Sequence, residues 1–124
     1  MNDEIVEAYM AFRKELDRMW VPRVIGAFSK INVIEHNGEM AGIICGSADY
    51  IDCVYIKPEH RRKGLASVAV KEYVRESGAE GVRLHILNNN DVALRFWNGL
   101  FRLSKIEENT VDTLYEIIGV NYER

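Results

Sequence analysis

Very little in this sequence can staple, puncture or anchor it. Cysteine occurs twice, at Cys45 and Cys53, both in apolar surroundings, without CxxC spacing and with no histidines clustered nearby. That pattern argues against a metal site. A chain of 124 residues is long enough to build a core without disulfide staples. Buried reduced thiols are therefore the ordinary reading, with a catalytic cysteine as the alternative. The three histidines (His36, His60 and His85) are scattered, and none forms an HExxH pair. No apolar run approaches the roughly 18 residues of a membrane span. The opening, MNDEIVEAYM, is acidic and amphipathic rather than signal-like, and a cytoplasmic location is expected. Positive charge is short overall. The formal net charge of −3 excludes a general nucleic-acid or membrane binder acting through its global field.

What is present is an ordinary globular balance of 48% hydrophobic and 28% charged residues. There are no repeats, linkers or low-complexity segments, so one domain over residues 1–124 is expected. Ile5, Tyr9, Phe12, Leu16 and Met19/Trp20 recur at helical spacing and predict a helix over residues 3–20, stopped by Pro22. Residues 23–28 fit a short helix or a loop. Two apolar runs joined by Asn37-Gly38 predict a hairpin from Ile31 onward. A third strand, YIDCVYIKP, ends at Pro58, which has no N–H to give to a ladder. Ala66, Ala69/Val70, Tyr73 and Ser77 share a helical face, with Gly78 as C-cap. GVRLHIL reads as a strand. Asn90 caps the next helix, with Asp91 complementing its dipole, and Ala93, Phe96/Trp97 and Leu100 form its buried stripe. RLSKIEE and VDTLYEII, joined at Asn109-Thr110, make a closing hairpin.

Between the third strand and its helix lies HRRKGLAS, residues 60–67, where three cations in a row are followed by a glycine. A strand, a cationic glycine loop and a helix N-terminus together make an anion site. The first turn of a helix leaves N–H groups unpaired, and its dipole adds partial positive charge. Gly64 lets the backbone approach an anion closely, and Arg61, Arg62 and Lys63 add charge around it. The loop is not a Walker A motif, and no GxGxxG run occurs. A solvated surface loop is the bland reading of such a charge run. Nucleic-acid binding through HRRK is a further alternative, opposed by the acidic total.

The string VYIKPEHRRKGLASVAVKEYV resembles the acyl-CoA-binding motif of the GNAT superfamily of N-acyltransferases, Arg/Gln-x-x-Gly-x-Gly/Ala, here Arg61-x-x-Gly64-x-Ala66. NNNDVALRFWNGLF is similar to the family's Asn-x-x-Ala stretch, and VIEHNGEMAGIICG to its second and third strands. The likeness covers roughly residues 31–118. It implies an α/β (α+β) fold: a mixed, mostly antiparallel twisted sheet with a central splayed parallel pair, flanked by helices. The splayed strands would be the one ending at Lys57 and Val82–Leu87. It implies transfer of an acetyl group from acetyl-CoA to a primary amine by direct attack in a ternary complex. The alternative is a catalytically silent acyl-CoA-binding module of the same fold. By the resemblance, backbone groups of Val54, Tyr55 and Ile56 would pair with the pantetheine arm. The amides of Arg62, Lys63, Gly64, Leu65, Ala66 and Ser67 would hold the pyrophosphate, and Asn90 would touch the lower pantetheine.

The resemblance also points to catalytic positions. His85 stands where some members carry a glutamate base, five residues before the motif asparagine. Imidazole exchanges protons near neutral pH, although a hydrogen-bonded structural histidine is the bland reading. Trp97 stands where the usual acid is tyrosine, and indole donates a hydrogen bond but delivers no proton. Tyr55 or Tyr115 is a candidate substitute, and departure of a thiolate that takes its proton from water is another route. Phe101 replaces the family's usual glycine. Asp52 and Glu35 are candidate holders of a cationic amine, against an ordinary reading as solvated carboxylates. The family's leading strand has no counterpart before the first predicted helix, so the strand near Ile31 is expected to be an exposed edge, which proteins cover by pairing. A homodimer is expected on that ground. Light scattering at micromolar concentration should then give twice the chain mass, and a monomer alone would contradict it.

Overall fold

Asn37 and Gly38 turn the chain as their sequence predicts. Their φ values are 54° and 80°, the left-handed pair of a type I′ turn, whose twist matches that of the strands it joins. They connect β1 (Lys30–His36) to β2 (Glu39–Ser47), and β3 (Tyr50–Ile56) continues the antiparallel meander. The computed structural model describes residues 30–78 and 81–121. The helix expected over residues 3–20 and the ambiguous segment 23–28 lie outside the described residues.

After β3 come one turn of 3-10 helix at Pro58–His60 and then α1 (Leu65–Glu76). β4 (Arg83–Leu87), α2 (Asp91–Leu100), β5 (Phe101–Glu108) and β6 (Asp112–Val120) follow. Gly78, at φ 91°, ends α1 as the sequence predicts, its N–H donating to the Arg75 carbonyl at 3.2 Å. The six strands of the described residues lie in the order β1-β2-β3-β4-β6-β5. Among the described residues only the β3–β4 contact is parallel. Among the described residues no helix is long and apolar enough to cross a membrane.

The parallel contact is very short. It consists of Tyr50↔Arg83 and Ile51↔Leu84, and nothing pairs beyond them. The next residue of β3, Asp52, is a bulge. The β2–β3 register steps from Gly46↔Ile51 to Cys45↔Cys53 and leaves Asp52 without an opposite number. A bulge bends its strand and increases the local twist. From this point β3 runs away from β4, so the splay expected between these two strands is present and has a local cause.

One face of the sheet packs against both helices. Ile44, Ile51, Leu84 and Ile86 meet Val70, Tyr73 and Val74 of α1 and Trp97 and Leu100 of α2. Period-two alternation along β4 therefore turns His85 to the opposite face. The paired end of β3 is fixed by Tyr73, fully buried, whose hydroxyl donates to the Ser47 carbonyl at 2.7 Å and lies 3.3 Å from that of Tyr50. Gly46 leaves room for this approach. A Cβ there would sit 2.0 Å from the Tyr50 carbonyl oxygen and 2.9 Å from the Tyr73 hydroxyl. Burial first, then neighbouring Cys45, pushes the Tyr73 phenol well above its ordinary range, so it stays a neutral donor. Lys30 covers the ring, its Nζ 4.1 Å from the centroid and 3.4 Å from Glu76. The hydrogen bond from Asn32, and then that from Lys30, holds the Glu76 carboxyl below the usual range.

Removing the Tyr73 hydroxyl leaves the Ser47 carbonyl without that donor. Tyr73→Phe should lower stability by about 1–3 kcal/mol. In urea titrations the midpoint should fall with an unchanged slope, and an unchanged midpoint would contradict this account of the clamp.

Candidate functional site

The end of β3, the basic loop and the N-terminus of α1 form one wall of a cavity of about 510 Å³. Pro58 stops the strand and opens the 3-10 turn. Arg61 returns to extended backbone, and Arg62 and Gly64 then take positive φ values of 64° and 74°. Gly64 is the N-cap of α1, with no side-chain cap and no acid in the first turn. The start of α2 is different: Asn90 Oδ1 accepts from the Ala93 N–H at 3.0 Å, and Asp91 follows. Of these two helix starts, the one facing the cavity keeps its amide donors and its positive dipole end without a side-chain partner.

Most of the residues expected around a ligand come together here. Val54, Tyr55 and Ile56 line the cavity from β3; Arg61, Arg62 and Gly64 line it from the loop. Leu65, Ala66 and Ser67 contribute from the first turn of α1, and Phe96 and Trp97 form the far wall from α2. Lys63 is exposed and does not line it. Nor does Asn90, whose side-chain oxygen is used in the cap. Two further residues, His60 and Phe96, line it beyond those the sequence predicts around a ligand. His60 lay inside the basic string itself. The residue is 7% exposed, with Nε2 3.3 Å from Glu39 and the His36 ring edge-on at 6.0 Å.

Register sorts the β3 backbone. The Lys57 N–H donates to the Ala41 carbonyl at 2.7 Å. By alternation the N–H and C=O of Tyr55 also turn to β2, while those of Val54 and Ile56 turn to the gap beside β4. One gap-facing acceptor is already in use: Arg61 Nε donates to the Ile56 carbonyl at 2.8 Å, with its guanidinium 5.5 Å from the Tyr55 ring centroid.

His85 does not line the cavity. It stands one residue beyond the last β3–β4 pair, on the sheet face away from the helices, with Nδ1 2.6 Å from the Tyr50 hydroxyl. Trp97 is 7% exposed and stacks on Phe101 at 6.2 Å and 26°, with the Phe96 ring edge-on at 5.3 Å. The two departures from the resembled pattern, Trp97 and Phe101, are thus in contact and fill core space together. Of the two candidate substitutes for an acid, Tyr55 borders the cavity and Tyr115 does not.

Three other expectations meet the geometry. Glu35 is exposed, as an ordinary surface carboxylate is. Asp52 is not solvated: both its carboxylate oxygens are shielded from water. Cys45 and Cys53 are free, buried and opposite each other in register. The contact with Cys45, and then burial, pushes the Cys53 thiol far above its ordinary range. This is the reverse of an activated nucleophile. Among the described residues no group of three or more His, Cys, Asp or Glu side chains is arranged to hold a metal ion.

Residues 2–100 match the model of the acetyltransferase (GNAT) family, and the chain belongs to that family. The fold is shared with solved members at low identity. The PaiA N-acetyltransferase of Thermoplasma acidophilum, in complex with coenzyme A, is 21% identical with a TM-score of 0.53, over 67% of this chain and 56% of that one. The apo-form of YjaB from Escherichia coli is 16% identical with a TM-score of 0.57, over 72% and 65%. A putative acyl-CoA N-acyltransferase from Klebsiella pneumoniae subsp. pneumoniae is 17% identical with a TM-score of 0.59, over 93% and 87%. The match spans less than two thirds of the first two of these proteins. Among curated proteins none matches the chain.

A Cβ on Gly64 would meet nothing within 4 Å, so there the cost of a side chain is conformational. Gly64→Ala should destabilise the protein by about 1–2 kcal/mol through its left-handed backbone. Thermal unfolding followed by circular dichroism checks this, and an unchanged Tm would contradict the left-handed cap.

Proposed function

We propose that the protein is an N-acetyltransferase that moves an acetyl group from acetyl-CoA to a primary amine by direct attack in a ternary complex. The observation that carries this reading is the continuity between the stretch of β3 beyond its last pair with β4 and the N-terminus of α1, which has no side-chain cap, around one cavity. An extended amide-bearing arm ending in a diphosphate needs a strand edge followed by a cluster of N–H donors, and the chain presents them in that order. The open space at Gly64 fits such a group. The backbones of Val54 and Ile56 are the strand edge, and the amides from Arg62 to Ser67 are the diphosphate cradle. Arg61 and Arg62 add charge at its rim. Lys63 and Asn90 play a smaller part in this assignment, since neither borders the cavity. The free thiols of Cys45 and Cys53 support a reducing, cytoplasmic setting.

The thioester supplies an activated acyl carbon. The chain has to hold that carbon in the gap between β3 and β4 and remove the ammonium proton of the acceptor. His85, beside the gap on the far face, takes this proton as the base. The amine nitrogen then forms the C–N bond as the C–S bond breaks. The second proton of the nitrogen goes to the departing sulfur, and His85 returns its own to water. A gap-facing N–H of β3 is placed to donate to the developing oxyanion. Tyr55 is the tyrosine at the cavity wall suited to assist the leaving thiolate. The packing of Trp97 against Phe101 favours one alternative, a silent module that binds acyl-CoA without turning it over.

Thermal shift with coenzyme A tests binding. A ligand at a hundredfold its Kd adds about 2.7 kcal/mol of stability, and Gly64→Val should lose that shift while remaining folded. No shift in the wild-type protein would sink both the enzyme and the silent module. Thiol release from acetyl-CoA over a panel of amines then separates the two. In an active enzyme, His85→Ala should lower kcat by about a hundredfold or more, and an unchanged rate would remove His85 from the mechanism.

A further inference from the structure

Tyr50 and His85 meet across the last paired stretch of the two parallel strands. Tyr50 is in register with Arg83 and Ile51 with Leu84, so the next outward-facing residue of β4 stands beside the Tyr50 ring. Ile51, Leu84 and Ile86 belong to the core on the helix side, which puts both Tyr50 and His85 on the opposite face. Their contact is 2.6 Å between Oη and Nδ1, with ring centroids 5.7 Å apart. Two strands whose register is fixed hold it, and Tyr73 and Gly46 anchor the Tyr50 carbonyl from below. The imidazole is therefore oriented by the sheet itself.

An imidazole takes up a proton only at the nitrogen that lacks one, and the hydrogen bond made by the other nitrogen decides which that is. If the Tyr50 hydroxyl donates to Nδ1, then Nε2 carries the proton and has no lone pair to offer. If Nδ1–H donates to the phenol oxygen, Nε2 is the acceptor. Once the ring is protonated, Nδ1 must be a donor, so only the second arrangement passes through the reaction without reversing the hydrogen bond. We infer that Tyr50 is the positioning residue for His85: it holds the ring as the Nδ1–H tautomer and so keeps Nε2 ready to accept the amine proton. This rests on the reading of His85 as the base of an acetyl transfer. It gives a role to a residue that neither lines the cavity nor touches the cradle.

Imidazole-nitrogen NMR on labelled protein distinguishes the two neutral tautomers, with the His85 signals identified by their loss in His85→Gln. The wild-type ring, when neutral, should be the Nδ1–H form. In Tyr50→Phe it should move to the Nε2–H form that free imidazole favours. In the same variant kcat should fall about tenfold or more while KM for acetyl-CoA holds, because the cavity wall is untouched. A wild-type ring in the Nε2–H form overturns the inference without needing any variant. So does a folded Tyr50→Phe protein with an unchanged tautomer or an unchanged kcat. If no amine is turned over at all, the catalytic half falls with the transferase reading, and the tautomer still decides for or against the Tyr50 contact.

Discussion

Two residue pairs of parallel sheet, Tyr50↔Arg83 and Ile51↔Leu84, are the hinge on which this structure turns. Fewer would let the sheet fall into two halves, and more would close the gap that the site needs. Opening a sheet is expensive, because each buried backbone group left unpaired costs about 1–3 kcal/mol. The molecule limits that cost at both ends of the break. At the paired end, Tyr73 and Gly46 clamp the β2–β3 corner. At the open end, Arg61 folds back onto the Ile56 carbonyl and Pro58 removes one donor outright. The rest of the open edge is left to the cavity.

Helices α1 and α2 divide the work that the broken sheet creates. Both start on the same side of it, and their N-termini are treated differently. α2 is closed by Asn90 and Asp91, and spends its face on packing Trp97 and Leu100 into the core. α1 starts from a left-handed glycine with neither cap nor acid, so its positive end remains available. A helix start left in that condition beside a cavity lowers local stability and suits a negatively charged ligand. Binding at one and stability at the other come from the same backbone chemistry.

Much of this was legible along the chain, because the deciding signals are local. Asn37-Gly38 specifies its turn, Asn90 its cap, and Pro58 the end of its strand, each within a few residues. The basic loop and Gly64 were readable for the same reason, and the family likeness joined them. What was not legible depends on register between distant segments. The Asp52 bulge follows from how β2 meets β3, and the shielding of its carboxylate, against the solvated reading, is a matter of packing that the string does not display. The Tyr50–His85 contact spans 35 positions, and neither residue signals the other. Arg61 reads as free charge in the string, yet its Nε is spent on the Ile56 carbonyl. Trp97 and Phe101 each read as a departure, and only the structure brings the two rings into a stack.

The central claim is that the open β3 edge and the α1 N-terminus form one continuous cradle for a single ligand. Backbone amide NMR during titration with coenzyme A addresses it most directly. The account predicts that amides of Val54 and Ile56 and those from Arg62 to Ser67 shift together along one saturation curve, while β1 and the β5–β6 turn stay still. Shifts in the loop without any in β3, or shifts confined to residues away from the cavity, would contradict it.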